Sequence, residues 1–327
     1  MQAVHAGKPR DDAADAAPAR PGNATARLIV RAADLYRAAL FRVVNFAGPR
    51  FGYAFSAPLA RGLYHALAPL RERTEAHLRQ ARGWFGREVD VPRMARDSFL
   101  HRVWNFVDLM LAPGRLTPER LAQFGGLLDP NLRAELLDGQ RRRQAVLLVT
   151  AYYGPFDLLP VLLGAQGLKM AVVYRPHTSP AFDRLRQRVR EIANCEMIPI
   201  NDALVRVPQI LDAGGTVGLV ADHPAGARGF DSTFLGIPTR VPPTVGLLAA
   251  RHQADVVVAG VRRIGRRFRF EIVVTDVMKA AEFHDDPDAV RKITLRTHHG
   301  LETLVRGDPE QYNWVQERWE TGASRRQ

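Results

Sequence analysis

The stretch AVLLVTAYYGPFDLLP at residues 145–160 is the strongest structural signal in this chain of 327 residues. The apolar run at residues 146–150 is too short to cross a membrane, and a Gly-Pro pair soon stops it, so it predicts a buried strand and a turn. A helix is expected to begin near Phe156. Asp157 is the only charged residue of the stretch. Because ligands of open α/β sheets bind at the carboxyl ends of strands, this turn is the first candidate site.

After this unit, segments typical of strands and helices alternate along the chain. Strands are predicted at residues 170–174, 197–200 and 216–221, and helices at 180–193, 203–213 and 244–252. Two further strands, residues 256–263 and 268–275, form a hairpin. The pattern predicts an α/β fold with a mixed, mostly parallel sheet flanked by helices.

The part of the chain before the central unit is predicted to be helical. Residues 27–46 place apolar side chains on one side and arginines on the other, and residues 51–70 are nearly free of charge. Such a pair is typical of helices that lie on a membrane surface, and also of a two-helix cap on a core; we expect the membrane-associating form. Further helices are predicted at residues 75–111, with a break at 83–91, and at 116–140, where Thr117-Pro118-Glu119 resembles a helix start.

Composition restricts the class of partner. The net charge is +12, and only four of the 46 basic residues are Lys, which indicates an anionic membrane surface, a phosphorylated substrate or a nucleic acid. We expect no nucleic-acid partner, because the arginines are spread over many elements and no binding motif is evident. A single cysteine, Cys195, excludes a disulfide framework and a cysteine-based zinc site. The first 26 residues have the composition of a disordered tail and lack a secretory apolar core.

Several short motifs occur in an order that resembles a known family. They are LLVT at residues 147–150 with the turn to Asp157, VYRP at 173–176, SP at 179–180 with Asp183, the segment from Gly214-Gly215 to Asp222, FLGIP at 234–238, and DPEQYNW at 308–314 ending at Arg318-Trp319. Together, over about residues 28–320, they resemble the bacterial lipid A biosynthesis acyltransferases of the lysophospholipid acyltransferase superfamily.

The resemblance implies a domain organisation and a fold. It implies a tail over residues 1–26, a helical membrane-associating part over 27–111, a glycerolipid acyltransferase-like α/β core over 112–320, and a second tail over 321–327.

One residue of the defining motif departs from the family. The family has a His, four residues and an acid, where the His is the general base and the acid orients it; here Tyr152 takes the His position and Asp157 is the acid. A general base near neutral pKa contributes roughly 10²–10⁴ in rate, whereas the ordinary pKa of Tyr is about 10. Tyr152 could donate a hydrogen bond to substrate, act as an activated phenolate, or fill a site without activity.

The resemblance also supplies the other candidate catalytic residues. Arg175 matches a strand-end arginine that would neutralise a phosphate or the developing oxyanion, or form a salt bridge at the rim of the sheet. Asp222 matches an acidic position after a strand. From the residues themselves, His177 and His223 follow predicted strand ends, where each could be a substitute base or simply a histidine of a surface loop. Of the two, His223 is the better substitute base, because a Gly-rich loop follows Asp222.

Substrate-binding roles are expected in the loop after Asp222 and in the FLGIP motif. The candidates are Arg175, Arg228, Gly229, Phe234, Gly236 and Pro238, although the motif could equally be a turn packed on the core. Tyr312, Trp314 and Trp319 are expected to be core aromatic residues.

The resemblance implies an acyltransferase that moves a fatty acyl group from acyl carrier protein or coenzyme A to a membrane lipid acceptor. The acceptor would be a lipid A precursor, a lysophospholipid or a related amphiphile. No cofactor or metal is expected, and the protein is expected at the cytoplasmic face of the bacterial inner membrane. The alternative is a degenerate member that binds lipid or acyl donor without turnover.

Overall fold

The computed structural model describes residues 41–319 except residues 43, 45, 177–182, 184, 187–188, 190–194, 226–228 and 317. The two predicted tails, most of the helix predicted at residues 27–46 and most of the helix predicted at 180–193 lie outside the described residues.

Helices dominate the first part of the described chain, and a regular alternation follows. The helices are α1 (Pro49–Ala66), α2 (Ala68–Ala81), α3 (Val91–Leu111), α4 (Leu121–Phe124), α5 (Pro130–Arg141), α6 (Leu159–Gly164), α7 (Ala203–Asp212), α8 (Thr244–His252) and α9 (Ala289–Gly307). The strands are β1 (Val146–Thr150), β2 (Met170–Tyr174), β3 (Cys195–Pro199), β4 (Thr216–Val220), β5 (Phe230–Phe234), β6 (Ile237–Val241), β7 (Asp255–Arg263) and β8 (Phe270–Met278).

Six strands form one sheet in the order β3-β2-β4-β1-β7-β8. The first five are mutually parallel, and β8 pairs antiparallel with β7. β1 lies inside the sheet, where Val149 is in register with Leu219 of β4 and Val258 of β7. The prediction of a mixed, mostly parallel sheet with a terminal hairpin is confirmed.

Both faces of the sheet are covered, which explains why β1 is apolar from Val146 to Val149. Leu147 and Val149 pack with residues of α7, α8 and α9 on one face. Val146 and Leu148 pack with residues of α5 and α6 on the other face. A strand buried on both faces has no solvent-exposed position, so its sequence is a continuous hydrophobic run rather than an alternating one.

Two details of the predicted helices are wrong. Residues 116–140 do not form one helix: α4 has a single turn, and α5 begins after Asp129, whose carboxylate accepts hydrogen bonds from the N–H groups of Asn131 and Leu132. Asp129 with Pro130 is therefore the helix start that sequence analysis assigned to Thr117 and Pro118. The apolar segment 51–70 is divided between α1 and α2 at Leu67, which is followed by Ala68-Pro69.

A buried ion pair joins α3 to the end of β7. The side chains of Arg263 and Asp108 are fully buried and hydrogen-bonded to each other, and the Tyr53 hydroxyl also donates to Asp108. The remaining guanidinium N–H groups contact Asn105 Oδ1 at 2.6 Å and His101 Nδ1 at 2.9 Å. Burial, aided by the charge of Arg263, lowers the pKa of His101 to about 3, so this ring is neutral and accepts the bond.

The substitution Arg263→Met tests this pair. Removing one partner of a buried ion pair leaves an uncompensated charge, so we expect a loss of about 3–5 kcal/mol in the free energy of unfolding, measured in urea at pH 7.5. The loss should shrink as the pH falls, because burial raises the pKa of Asp108 and the unpaired carboxyl would take up a proton on folding. The exposed Arg267→Met on the same hairpin is the control. Equal stability of the two variants would contradict the prediction.

Candidate active site

Three neighbouring parallel strands deliver polar residues to one edge of the sheet. β1 is followed by Tyr152, β4 by Asp222 and His223, and β2 by Arg175. Because β2, β4 and β1 are adjacent and parallel, their carboxyl ends meet at this edge. The sequence prediction that these residues converge is consistent with this placement.

The loop after β1 is fixed from two sides by backbone hydrogen bonds. Gly154 N–H donates to the Gln311 carbonyl at 2.9 Å, and Asn105 donates to the Gly154 carbonyl at 2.7 Å. The Tyr152 carbonyl accepts from Asn313 N–H at 2.9 Å. Gly154 has φ +54°, and a Cβ atom there would lie 1.9 Å from the Val261 carbonyl oxygen. Only glycine fits this position. The hydrogen bonds to Gln311 and from Asn313 show that the DPEQYNW segment holds the loop in place.

A large cavity of about 1270 Å³ opens at this edge. It exceeds the roughly 300–1,000 Å³ of ordinary small-ligand pockets. Its walls are mainly apolar side chains of the first helices and polar side chains of the strand ends. The lining includes Leu59, Leu63, Leu67, Leu70, Phe99, Arg102, Val103, Phe106, Tyr152, Phe156, Asp157, Arg175, Arg186, His223 and Tyr312.

Tyr152 lies in the cavity wall between two rings. Its ring contacts Phe156 and His223 edge to face, with centroid distances of 5.0 and 5.3 Å. Burial raises the pKa of Tyr152 above its usual value, and the negative charge of Asp222 adds to this effect. The activated phenolate considered from the sequence is therefore disfavoured, and the Tyr152 hydroxyl remains protonated at neutral pH.

Asp157 is engaged by a cation that sequence analysis did not identify. Its Oδ1 accepts hydrogen bonds from Arg186 Nε at 3.2 Å and Nη2 at 2.9 Å, and both side chains are mostly buried. The acid of the motif therefore positions an arginine at the cavity. No sequence signal links Arg186 to Asp157, because the two are 29 residues apart and meet only through the fold.

Asp222 is a buried carboxylate beside the cavity. Its Oδ2 accepts from the Tyr312 hydroxyl at 2.9 Å and from Tyr152 N–H at 3.2 Å. Burial raises the pKa of Asp222, and the charges of His223 and Arg318 oppose that shift. The next residue in the chain is His223, and the charge of Asp222 acts on that ring by raising its pKa.

His223 lines the cavity and is neutral at physiological pH. Desolvation lowers its pKa; the charge of Asp222 opposes this shift, whereas Arg175 and Arg318 reinforce it. A neutral imidazole can accept a proton, which is the property that a general base needs.

Of the six substrate-binding candidates, four lie away from the cavity and one lies outside the described residues. Phe234 is buried among Tyr312, His298 and Trp319, and Gly236 and Pro238 are exposed. These residues belong to a β5–β6 hairpin that sequence analysis did not predict, and none of the three lines the cavity.

The FLGIP motif is therefore a turn packed on the core, the second of its two interpretations. Leu235 and Gly236 both have positive φ, 54° and 73°, as a tight two-residue hairpin turn requires. Gly229 packs against Ala225 and Arg240, also away from the cavity lining. Arg228 and His177 lie outside the described residues.

The C-terminal aromatic residues are buried, as predicted from the sequence. Tyr312, Trp314 and Trp319 are each at most 5% exposed. Tyr312 has an additional role that was missed, because its hydroxyl donates to Asp222 at the cavity. Its position in the distinctive DPEQYNW segment is the one signal that could have indicated this role.

Comparison with known proteins identifies one matching family. The model of the family described as bacterial lipid A biosynthesis acyltransferase matches residues 134–321, which is more than half of the chain. The match includes β1 to β8 and α9 but not α1 to α4, so the N-terminal part of the resemblance read from residue 28 lies outside it. No curated protein matched the chain.

The electrostatics of the site predict how His223 titrates. Replacing Arg175 by Gln removes a positive charge that lowers the pKa of His223, so the pKa should rise toward its usual value of about 6.5. NMR titration of the His223 ring measures this shift. Arg267→Gln removes an equal charge at an exposed hairpin position and should leave the ring unaffected. A pKa that falls or stays constant in Arg175→Gln would refute the proposed proximity.

Proposed function

Because this chain belongs to the family of bacterial lipid A biosynthesis acyltransferases, we propose that it esterifies a membrane lipid with His223 as the general base. The donor is a fatty acyl thioester of acyl carrier protein or coenzyme A. The acceptor is a hydroxyl group of a lipid A precursor, a lysophospholipid or a related amphiphile.

The observation that carries the proposal is the contact between the rings of His223 and Tyr152 in the cavity wall. The family motif requires an imidazole at the position of Tyr152. An imidazole is present beside that position, but it belongs to His223, which follows the neighbouring strand β4 and not β1. Its lowered pKa keeps it unprotonated at neutral pH, and Asp222 stabilises the imidazolium that forms on proton transfer.

The reaction follows from this arrangement. The acceptor hydroxyl oxygen attacks the thioester carbonyl carbon while its proton passes to the His223 ring. Arg175, which lines the same cavity, stabilises the oxyanion of the tetrahedral intermediate. The intermediate then collapses to the ester, the C–S bond breaks, and the thiolate takes the proton from the imidazolium. Asp157 fixes Arg186 at the wall and does not orient the base.

Exposed apolar residues near the cavity support a location at a membrane surface. Phe51 and Phe55 of α1 are 45% and 49% exposed, and Leu59 and Leu63 continue the same four-residue spacing into the cavity lining. Residues at this spacing form one ridge along a helix, so an apolar path runs from the surface into the cavity.

A second apolar patch lies at the same edge of the sheet. Ile200, just after β3, lines the cavity, and Leu204 and Val205 at the start of α7 are 88% and 62% exposed. Exposed patches of this kind mark interaction sites, and here each patch continues into the cavity lining, one through Leu59 and Leu63 and the other through Ile200. Among the helices that the structure describes, none is long and apolar enough to cross a bilayer. We propose that the protein binds the anionic inner-membrane surface peripherally.

Substitutions of the two ring residues test the mechanism. His223→Gln should lower kcat by roughly 10²–10⁴, since it removes the base. Tyr152→Phe should change kcat less than about tenfold, because a protonated phenol takes no part in proton transfer. The assay measures transfer of a radiolabelled lauroyl group from acyl carrier protein or coenzyme A to lipids of a bacterial membrane extract. His284→Gln, at an exposed position, is the control.

The pattern of activities separates the alternatives. A large loss in Tyr152→Phe with full activity in His223→Gln would make Tyr152 the functional residue and refute the proposed base. If the wild type transfers nothing while Tyr152→His does, the protein is a degenerate member that binds lipid or donor without turnover. The engaged acid Asp157 is the observation that favours this second function.

Vesicle binding tests the proposed membrane surface. The double variant Phe51→Ser/Phe55→Ser should bind phosphatidylglycerol vesicles roughly tenfold or more weakly, because each buried aromatic side chain contributes about 1.5–3 kcal/mol. Sedimentation with the vesicles measures the bound fraction. The matched control is Leu127→Ser, because Leu127 is exposed to a similar extent, 52%. It lies away from the proposed membrane surface: the N–H of the adjacent Leu128 donates a hydrogen bond to Gln166, which follows the C-terminal end of α6. Equal loss in the control would indicate non-specific adsorption.

A further inference from the structure

An arginine in the wall of the cavity has no counter-charge among the residues that the structure describes. Arg102 lies on the face of α3 that also carries Phe99, Val103 and Phe106, and all four residues line the cavity. Within the part of the chain that the structure describes, the Arg102 guanidinium makes no hydrogen bond and no ion pair. The five N–H donors of this cavity-lining residue therefore have no acceptor among the described residues.

The side chain of Arg102 is exposed to the open cavity, and the wall around it is largely apolar. Leu59 and Leu63 of α1 line the same cavity. Desolvation lowers the pKa of Arg102. Arg186, in the same cavity, is paired with Asp157. A cation of a substrate cavity that has no counter-charge among the described residues has the properties of a subsite for an anion.

Arg175 is the second unpaired cation of the cavity. It is exposed at the end of β2 and forms no hydrogen bond or ion pair with any described residue. Two unpaired guanidinium groups thus face one cavity, one from a strand end and one from a helix. Only Arg175 lies in the region that the family model matches; Arg102 belongs to the helices before it.

We propose that Arg102 binds a phosphate group of an amphiphilic substrate inside the cavity. The inference rests on the proposed function, in that it concerns the substrate of the same site. A guanidinium pairs with phosphate through two parallel N–H···O bonds, and the bond strengthens where water is excluded. Phosphate is the expected anion because a fatty acyl thioester has no free carboxylate. The phosphate belongs either to the headgroup of the lipid acceptor or to the phosphopantetheine arm of the donor.

Equilibrium binding of matched probes tests the proposal. The first pair is 1-lauroylglycerol 3-phosphate and 1-lauroylglycerol, and the second is lauroyl-4′-phosphopantetheine and lauroylpantetheine, each below its critical micelle concentration. Within each pair, only the phosphate differs. We expect the wild type to bind the phosphorylated member of one pair about tenfold more tightly or better, measured by tryptophan fluorescence or calorimetry.

The variants assign the preference to Arg102. Arg102→Gln should abolish the preference and leave the affinity for the uncharged probe unchanged, whereas Arg102→Lys should retain part of it. Arg93→Gln removes the same charge from the exposed side of the same helix and should behave like the wild type. Because the Arg102 guanidinium contacts no described polar group, Arg102→Gln should fold normally, which circular dichroism checks. If that variant does not fold, loss of the wild-type preference with added salt measures the same charge effect.

Each outcome decides the question. If Arg102→Gln loses the preference for the phosphorylated member of the first pair, the phosphate belongs to the acceptor. If it loses the preference within the second pair, the phosphate belongs to the donor. Equal affinities of the wild type for both members of both pairs, or a preference that survives in Arg102→Gln, would overturn the proposal. Since binding requires no turnover, an inactive protein that keeps the Arg102-dependent preference would disprove acyl transfer but not this inference.

Discussion

The position of the loop after β1 depends on the close approach of Gly154 to the carbonyl of Val261. A Cβ atom added to Gly154 would lie 1.9 Å from that oxygen, so no side chain fits there. The Gly154 carbonyl accepts a hydrogen bond from Asn105, and the Gly154 N–H donates one to the Gln311 carbonyl. The loop is thereby fixed against β7, α3 and the C-terminal segment at once. Tyr152 and Asp157 lie in the cavity wall because these contacts position the backbone between them.

A buried polar cluster connects this loop to the core of the protein. Asn105, which holds the Gly154 carbonyl, also accepts a hydrogen bond from Arg263, and Arg263 is paired with Asp108. Gln311 bonds both the N–H and the carbonyl of Arg263. The ion pair, the end of β7 and the site loop therefore form one connected network. Such networks are strong only when every member is satisfied, which ties the shape of the site to the integrity of the core.

Parallel strand ends explain how a site of this type can keep a base while losing the usual one. β1 and β4 are neighbours, so residues that follow them are adjacent in space although 70 positions separate Tyr152 from Asp222 in the chain. In the proposed mechanism, a base on either strand end reaches the same substrate atom. The proposed mechanism exchanges the strand that supplies the imidazole and leaves the cavity in the same place.

The sequence by itself determined the fold class. Hydrophobic periodicity and turn residues were sufficient to predict β1 and the alternation of strands and helices after it, because burial on two faces imposes a local hydrophobic pattern on each element. Only the tertiary structure decided which charges are paired. Arg186 pairs with Asp157, whereas Arg102 lines the cavity without a partner among the described residues. Both arrangements depend on packing between elements far apart in the chain. The strength of a charge depends on the water and counter-charges around it, and those are set by packing, which no linear pattern encodes.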